Sequence, residues 1–307
     1  MIEIFLKTLP FFGLIGLGWA AAASRFFPTE AAAWLTKFVF YFALSAMLFR
    51  FASGLDLAAL FDLRFVAAYL VGSTLIWALG MTVARARGLA LPDAAMEAQC
   101  CMTGNTGFLG VPMLVVLLGP RAIGPVLMVL TIDMLVFSTL ITLIIHGARQ
   151  GGLRVEAILP VLRGVAANPM ILSMVAGLTW SLLHLPIPGP LDEFLTILGS
   201  AATPGALFAI GASLAGRHLR RMAASGWLSF AKLVLHPLAV GVAAMLLAVE
   251  PFAAGVMIAA AALPVAGNVY ILAQHFAVGQ QRVSAAILIS TAFSILTIPV
   301  VITLVGG

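Results

Sequence analysis

Two short stretches place polar and helix-breaking residues inside long apolar runs. The first reads Met102-Thr103-Gly104-Asn105-Thr106-Gly107-Phe108-Leu109-Gly110-Val111-Pro112. The second reads Leu263-Pro264-Val265-Ala266-Gly267-Asn268-Val269-Tyr270-Ile271-Leu272-Ala273-Gln274-His275. Glycine and proline weaken or break a helical ladder, so both stretches predict interrupted helices, with Gly110, Pro112 and Pro264 as breaking residues. A break frees backbone amides and carbonyls and creates half-helix ends, whose N-termini suit a carboxylate. Asn105 and Asn268 add amide donors and acceptors without fixed charge, so an anionic organic solute can be held with no buried arginine. The competing reading is packing, with small and amide side chains satisfying one another across helices. The candidate solute-binding residues are Thr103, Gly104, Asn105, Thr106, Gly107, Gly267, Asn268, Val269, Tyr270 and Gln274.

Ionisable groups inside apolar runs are expensive and are functional candidates by default. Asp133 stands alone in such a run and is a candidate proton or cation site, coupling to a proton or sodium, or a gating partner; a place nearer the end of its span, or pairing with Lys232 or another buried base, is its structural alternative. Lys232 lies near the start of its own run, where it either joins Asp133 in coupling or snorkels to the interface. Glu97 and Gln99 read as a solvated helix end or as the lining of a route inward. Arg50, Asp56, Asp62 and Arg64 read as surface charges or as a gate. His146, His184, His218, His236 and His275 are dispersed, with no metal-ligand spacing. Cys100 and Cys101 give neither a disulfide framework nor a metal site. No cofactor, metal or catalytic constellation is therefore expected, and an enzyme is disfavoured.

The elements that must position these residues follow from composition. The 307 residues are 63% apolar and only 9% charged, with mean hydropathy +1.15. No water-soluble domain fits, since such domains carry about 25% charged residues. A membrane helix takes about 20 apolar residues. Apolar runs fall at 4–23, 32–50, 65–84, 95–118, 122–146, 165–184, 194–215, 226–248, 252–277 and 283–304, predicting ten transmembrane helices. Met1 to Trp19 reads as the first span rather than a signal peptide. The net charge of +5 reports topology rather than nucleic-acid binding. Arg25, Arg85, Arg87, Arg149, Arg154, Arg163, Arg217, Arg220, Arg221 and Arg282 fall on one set of alternate loops, against Lys7, Arg50, Arg64 and Arg121 on the other. The richer set is cytoplasmic by the positive-inside rule, which puts both termini on the non-cytoplasmic side.

An offset of about 160 residues aligns the two halves, as expected of transporter repeats. Pro10 and Gly18 match Pro169 and Gly177; Phe42–Leu48 matches Phe208–Leu214; Gly104-Asn105 matches Gly267-Asn268; Gly119 matches Gly279. Residues 1–146 and 165–307 are therefore expected to form two five-helix repeats around a cytoplasmic linker, 147–164. An odd number of spans per half inverts the second repeat. The two breaks then meet in one central site.

Asn105-Thr106-Gly107-Phe108-Leu109-Gly110-Val111-Pro112 resembles the fourth-span motif of the auxin efflux carrier family, which includes bacterial malonate and malate permeases. Leu263-Pro264 through Asn268 to Ala273-Gln274 is similar to its ninth-span motif, and Asn168-Pro169, the run Pro204–Leu214 and Lys232 with His236-Pro237 resemble its second-half patterns. The resemblance implies an all-α fold similar to bile-acid sodium symporters, with broken fourth and ninth helices crossing at mid-membrane. It also implies a scaffold part and a mobile part, with organic anions bound beside the crossing and touched by Asn105. Where plant carriers have prolines at the crossing, this chain has Gly104 and Val269, and its linker is short. A small carboxylate such as malonate or malate is the expected cargo, carried across the plasma (inner) membrane by elevator-type secondary transport. An anion or water channel through the two breaks is the alternative. The expected partners are the organic anion, a coupling proton or sodium and the lipid bilayer; a homodimer is a candidate assembly.

Overall fold

The computed structural model describes residues 2–55, 62–150, 167–215 and 222–306. The secondary structure among those residues is helical, and each apolar run of the sequence contains helix where it is described. Among the described residues, seven helices are long and apolar enough to cross a membrane: α1 (Ile2–Ala23), α2 (Glu30–Ser53), α3 (Leu63–Ala86), α6 (Pro120–Arg149), α8 (Gly189–Leu214), α9 (Ala223–Leu246) and α12 (Gln280–Val305). The fourth run is split into α4 (Leu91–Met102) and α5 (Thr106–Leu118), and the ninth into α10 (Pro251–Ala261) and α11 (Gly267–His275). The sixth run is the short apolar helix α7 (Pro169–Leu182), started by Pro169 and capped by the Asn168 side chain on the Met170 amide. From residue 151 on, the expected linker lies outside the described residues, as do Asp56, Arg154, Arg163, Arg217, His218, Arg220 and Arg221.

The helices sort into two packed groups. One is α1, α2, α7 and α8; the other gathers α3 to α6 with α9 to α12. Each group draws on both halves of the sequence. The first is held by close backbone approach, because a Cβ at Gly18 would overlap the Phe208 carbonyl, and one at Gly177 would lie 2.8 Å from the Ala52 Cβ. An Arg50–Asp192 ion pair at 2.7 Å also ties α2 to α8, which gives Arg50 a partner within its own group. The second group is tied at one end by charge. Arg282 at the start of α12 bonds Asp93 and lies 2.8 Å from Glu97, off straight hydrogen-bond geometry, while Arg87 reaches Glu97 at 2.7 Å. Glu97 and Gln99 are therefore not a solvated helix end; they are 1% and 0% exposed.

The groups touch where α1 crosses α12 and α5 and where α8 lies beside α5. Among the described residues, each inter-helix ion pair stays within one group and none spans the two. Gly119 and Gly279, paired by the sequence offset, both take positive φ (88° and 60°) just before α6 and α12, turns that residues with a Cβ adopt only with strain.

Candidate functional site

The two breaks meet. Gly104 and Val265 form an isolated antiparallel bridge, with the Asn105 amide donating to the Pro264 carbonyl (2.9 Å) and the Ala266 amide to the Thr103 carbonyl (3.1 Å). Backbone groups freed by each break thus satisfy one another, as buried polar backbone requires. Ser290 on α12 supports the second break by accepting from the Val265 amide at 3.0 Å. The crossing partner of Gly104 is therefore Val265, not Val269. Val269 lies one turn into α11, fully buried, because the chain returns to helix already at Gly267.

A cavity of about 20 Å³ lies at this crossing, room for roughly one water. Thr103, Gly104, Asn105, Gly107, Phe108 and Ala266 line it from the breaks, Asn268 from the start of α11, and Leu130, Asp133 and Met134 from α6. The opposite wall comes from the other helix group, as Phe40 of α2 and Met170 of α7. Phe40 stacks on Phe108 across the boundary (6.3 Å, 15°), and a Cβ at Gly107 would come within 2.8 Å of the Met170 methyl. The beginnings of α5 and α11 both face the cavity, so their positive dipole ends converge there. The Asn268 Oδ1 is buried with no hydrogen-bond partner.

Thr103, Gly104, Asn105, Gly107 and Asn268 thus line one cavity, and Asp133, which the sequence left apart from the breaks, lines it with them. Thr106, Gly267, Val269, Tyr270 and Gln274 do not line the cavity, and Gln274 is exposed on α11. Gly110 and Pro112, expected to break the helix, instead lie within the continuous α5, where the wide turn Thr106–Gly110 runs straight into Val111; Gly110 packs close to the Leu263 side chain, and of the three expected breaking residues Pro264 alone stands at a break, where it is buried.

Behind the cavity runs a buried polar chain. Tyr69 of α3 donates to Asp133 Oδ1 at 2.9 Å, and Asp133 Oδ2 has no partner. Lys232 does not snorkel. It is 0% exposed, its ammonium donates to the Ala261 carbonyl at the end of α10, and it lies 3.2 Å from His236 Nδ1. A Cβ on Gly104 would sit 3.3 Å from that ammonium, so Lys232 reaches the crossing itself. His236 Nε2 in turn meets Ser73 Oγ at 2.9 Å. Tyr69 and Ser73 were not singled out by the sequence, and His236 was noted there only as a dispersed histidine and beside Lys232 in the family pattern.

Among the described residues, four helices carry a wide, π-type turn: Val39–Ala43, Thr106–Gly110, Asp133–Phe137 and Ala231–Leu235. These turns hold Phe40, Gly107 with Phe108, Asp133 and Lys232, which agrees with the frequent occurrence of such bulges at functional sites. The extra residue re-aims side chains that a regular helix would turn elsewhere.

Broken helices that pool polar backbone around an interior cavity, within a set of apolar helices, are an arrangement that membrane transport proteins use to hold a solute. The chain belongs to the family described as membrane transport proteins, the auxin efflux carriers, which it matches over residues 3–302. It is 35% identical over 305 residues to a Rhizobium meliloti (strain 1021) protein named "Putative malonate transporter", covering 97% of this chain and 94% of the relative. A Methanothermobacter thermautotrophicus (strain Delta H) protein named "Uncharacterized transporter" is 25% identical over 288 residues, 93% of each chain.

Proposed function

We propose that this transporter is a secondary carrier for a small organic anion, a dicarboxylate of the malonate class, moved by one helix group sliding against the other. The reading includes ten membrane crossings in two inverted five-helix repeats, residues 1–146 and 165–307. Both termini then lie on the non-cytoplasmic side of the plasma membrane. Thr103, Gly104, Asn105, Gly107 and Asn268 contact the anion, and Asp133 with Lys232 serves coupling.

The observation that carries this is the position of the cavity. It lies where two helix N-termini converge and has one wall on each group. With room for about one water, it must widen for a dicarboxylate to enter, and the groups have to part at Phe40 and Met170. A boundary without ion pairs among the described residues suits such sliding. The name of the Rhizobium relative supports the choice of malonate.

Purified protein in liposomes, loaded with unlabelled malonate and offered labelled malonate, is the test. Saturable exchange faster than net flux is expected of a carrier. Non-saturable net flux without exchange identifies a channel, and no uptake of any mono- or dicarboxylate overturns the reading.

A further inference from the structure

We propose that anion binding at the crossing loads a proton onto Asp133, so that carboxylate and proton move together. This rests on the carrier reading above and names its coupling ion.

The starting point is a mismatch between the cavity and its cargo. Asp133 lines the cavity at 3% exposure, and its Oδ2 has no hydrogen-bond partner. The groups facing it are few. Tyr69 of α3 donates to Oδ1 only. Lys232 and His236 of α9 are engaged with the Ala261 carbonyl, with each other and with Ser73. Among the described residues, no cation lies within ion-pair distance of Asp133. The remaining wall is neutral: Thr103, Asn105 and Asn268 are polar, and Phe40, Leu130 and Met170 are apolar.

An ionised carboxylate with a bare oxygen repels an incoming carboxylate strongly where water is excluded. Two carboxylates sharing a site hold a proton between them. A proton from solvent therefore forms an O–H bond at Asp133 Oδ2, turning the repelling acceptor into a donor toward the bound anion. On release the O–H bond breaks, the proton leaves to the opposite side, and Tyr69 keeps its bond to the remaining carboxylate.

At the end of α10 a sodium ion would have to compete with Lys232. Half-helix C-termini at a crossing supply carbonyls for a coupling cation, but the Ala261 carbonyl at the end of α10 already holds the Lys232 ammonium.

The test is calorimetric titration of malonate into the purified protein in sodium-free buffers of differing ionisation enthalpy, at a pH where free malonate is fully ionised. Wild type is expected to take up a proton for each malonate bound. Asp133→Asn is expected to bind malonate without proton uptake, and Asp133→Glu to restore it. Wild-type binding with no uptake, or uptake by Asp133→Asn equal to wild type, overturns the proposal. If Asp133→Asn does not fold, liposomes decide. An inward proton gradient without sodium should drive malonate accumulation in wild type, and accumulation driven only by a sodium gradient overturns the proposal. Absence of malonate binding and exchange altogether refutes the carrier reading instead.

Discussion

The Tyr69–Asp133 contact gives a prediction whose size falls from a single to a double substitution. The hydroxyl donates to Oδ1 at 2.9 Å, both residues are buried, and Oδ2 already lacks a partner. Tyr69→Phe therefore leaves the carboxyl with neither oxygen bonded. A hydrogen bond to a charged group is worth about 1.5–3 kcal/mol, so the single variant should lose roughly 2 kcal/mol of stability. Replacing both partners by apolar groups of similar shape is nearly neutral, because no buried polar atom is then orphaned. Tyr69→Phe combined with Asp133→Leu should consequently recover most of that loss. Denaturation of the purified protein in detergent measures both. A neutral Tyr69→Phe, or a double variant whose loss is the sum of the two singles, would refute the reasoning.

Three further outcomes follow from the geometry. Asn105→Ala and Asn268→Ala should each weaken malonate affinity by about 1–3 kcal/mol, roughly 5- to 150-fold, read by titration; wild-type affinity in both would remove the site. Arg282→Gln leaves the buried Glu97 with Arg87 alone and frees Asp93. Denaturation should register a loss of about 3 kcal/mol, the scale for breaking a buried pair from one side. Gly18→Val drives a side chain into the Phe208 backbone of α8, so folded yield and thermal stability should fall by about 1–3 kcal/mol, whereas Gly13→Ala, with open space at its Cβ, should be neutral.

The parts of this molecule that sequence reveals are those set locally. Apolar runs mark the helices because a bilayer demands length and hydropathy. Gly104 and Pro264 mark the breaks because the ladder fails there. The lone acid in an apolar run marks Asp133. Registers and neighbours were less legible. Gly267-Asn268 matches Gly104-Asn105 by type, yet the bridge pairs Gly104 with Val265, because hydrogen bonding between the strands sets that register and not residue likeness. Phe40 and Met170 reach the cavity from helices distant in sequence, and their apolar types look like any core residue. Tyr69 and Ser73 carry no motif but lie one turn apart on α3, and His236, noted only within the family pattern, lies one turn beyond Lys232. That spacing is the signal that could have found them. Glu97 looked like a solvated end because its partner Arg282 is far away in the chain.

The most direct measurement of where the anion sits is protection of a single thiol at the crossing. Phe108→Cys, in protein whose Cys100 and Cys101 are replaced by alanine, puts that thiol on the cavity wall beside Phe40; Gln274→Cys puts it on the exposed face of α11, outside the cavity. Malonate should slow maleimide labelling at residue 108 in proportion to occupancy and leave residue 274 unchanged. Equal labelling at residue 108 with and without saturating malonate would contradict a substrate site between the two helix groups.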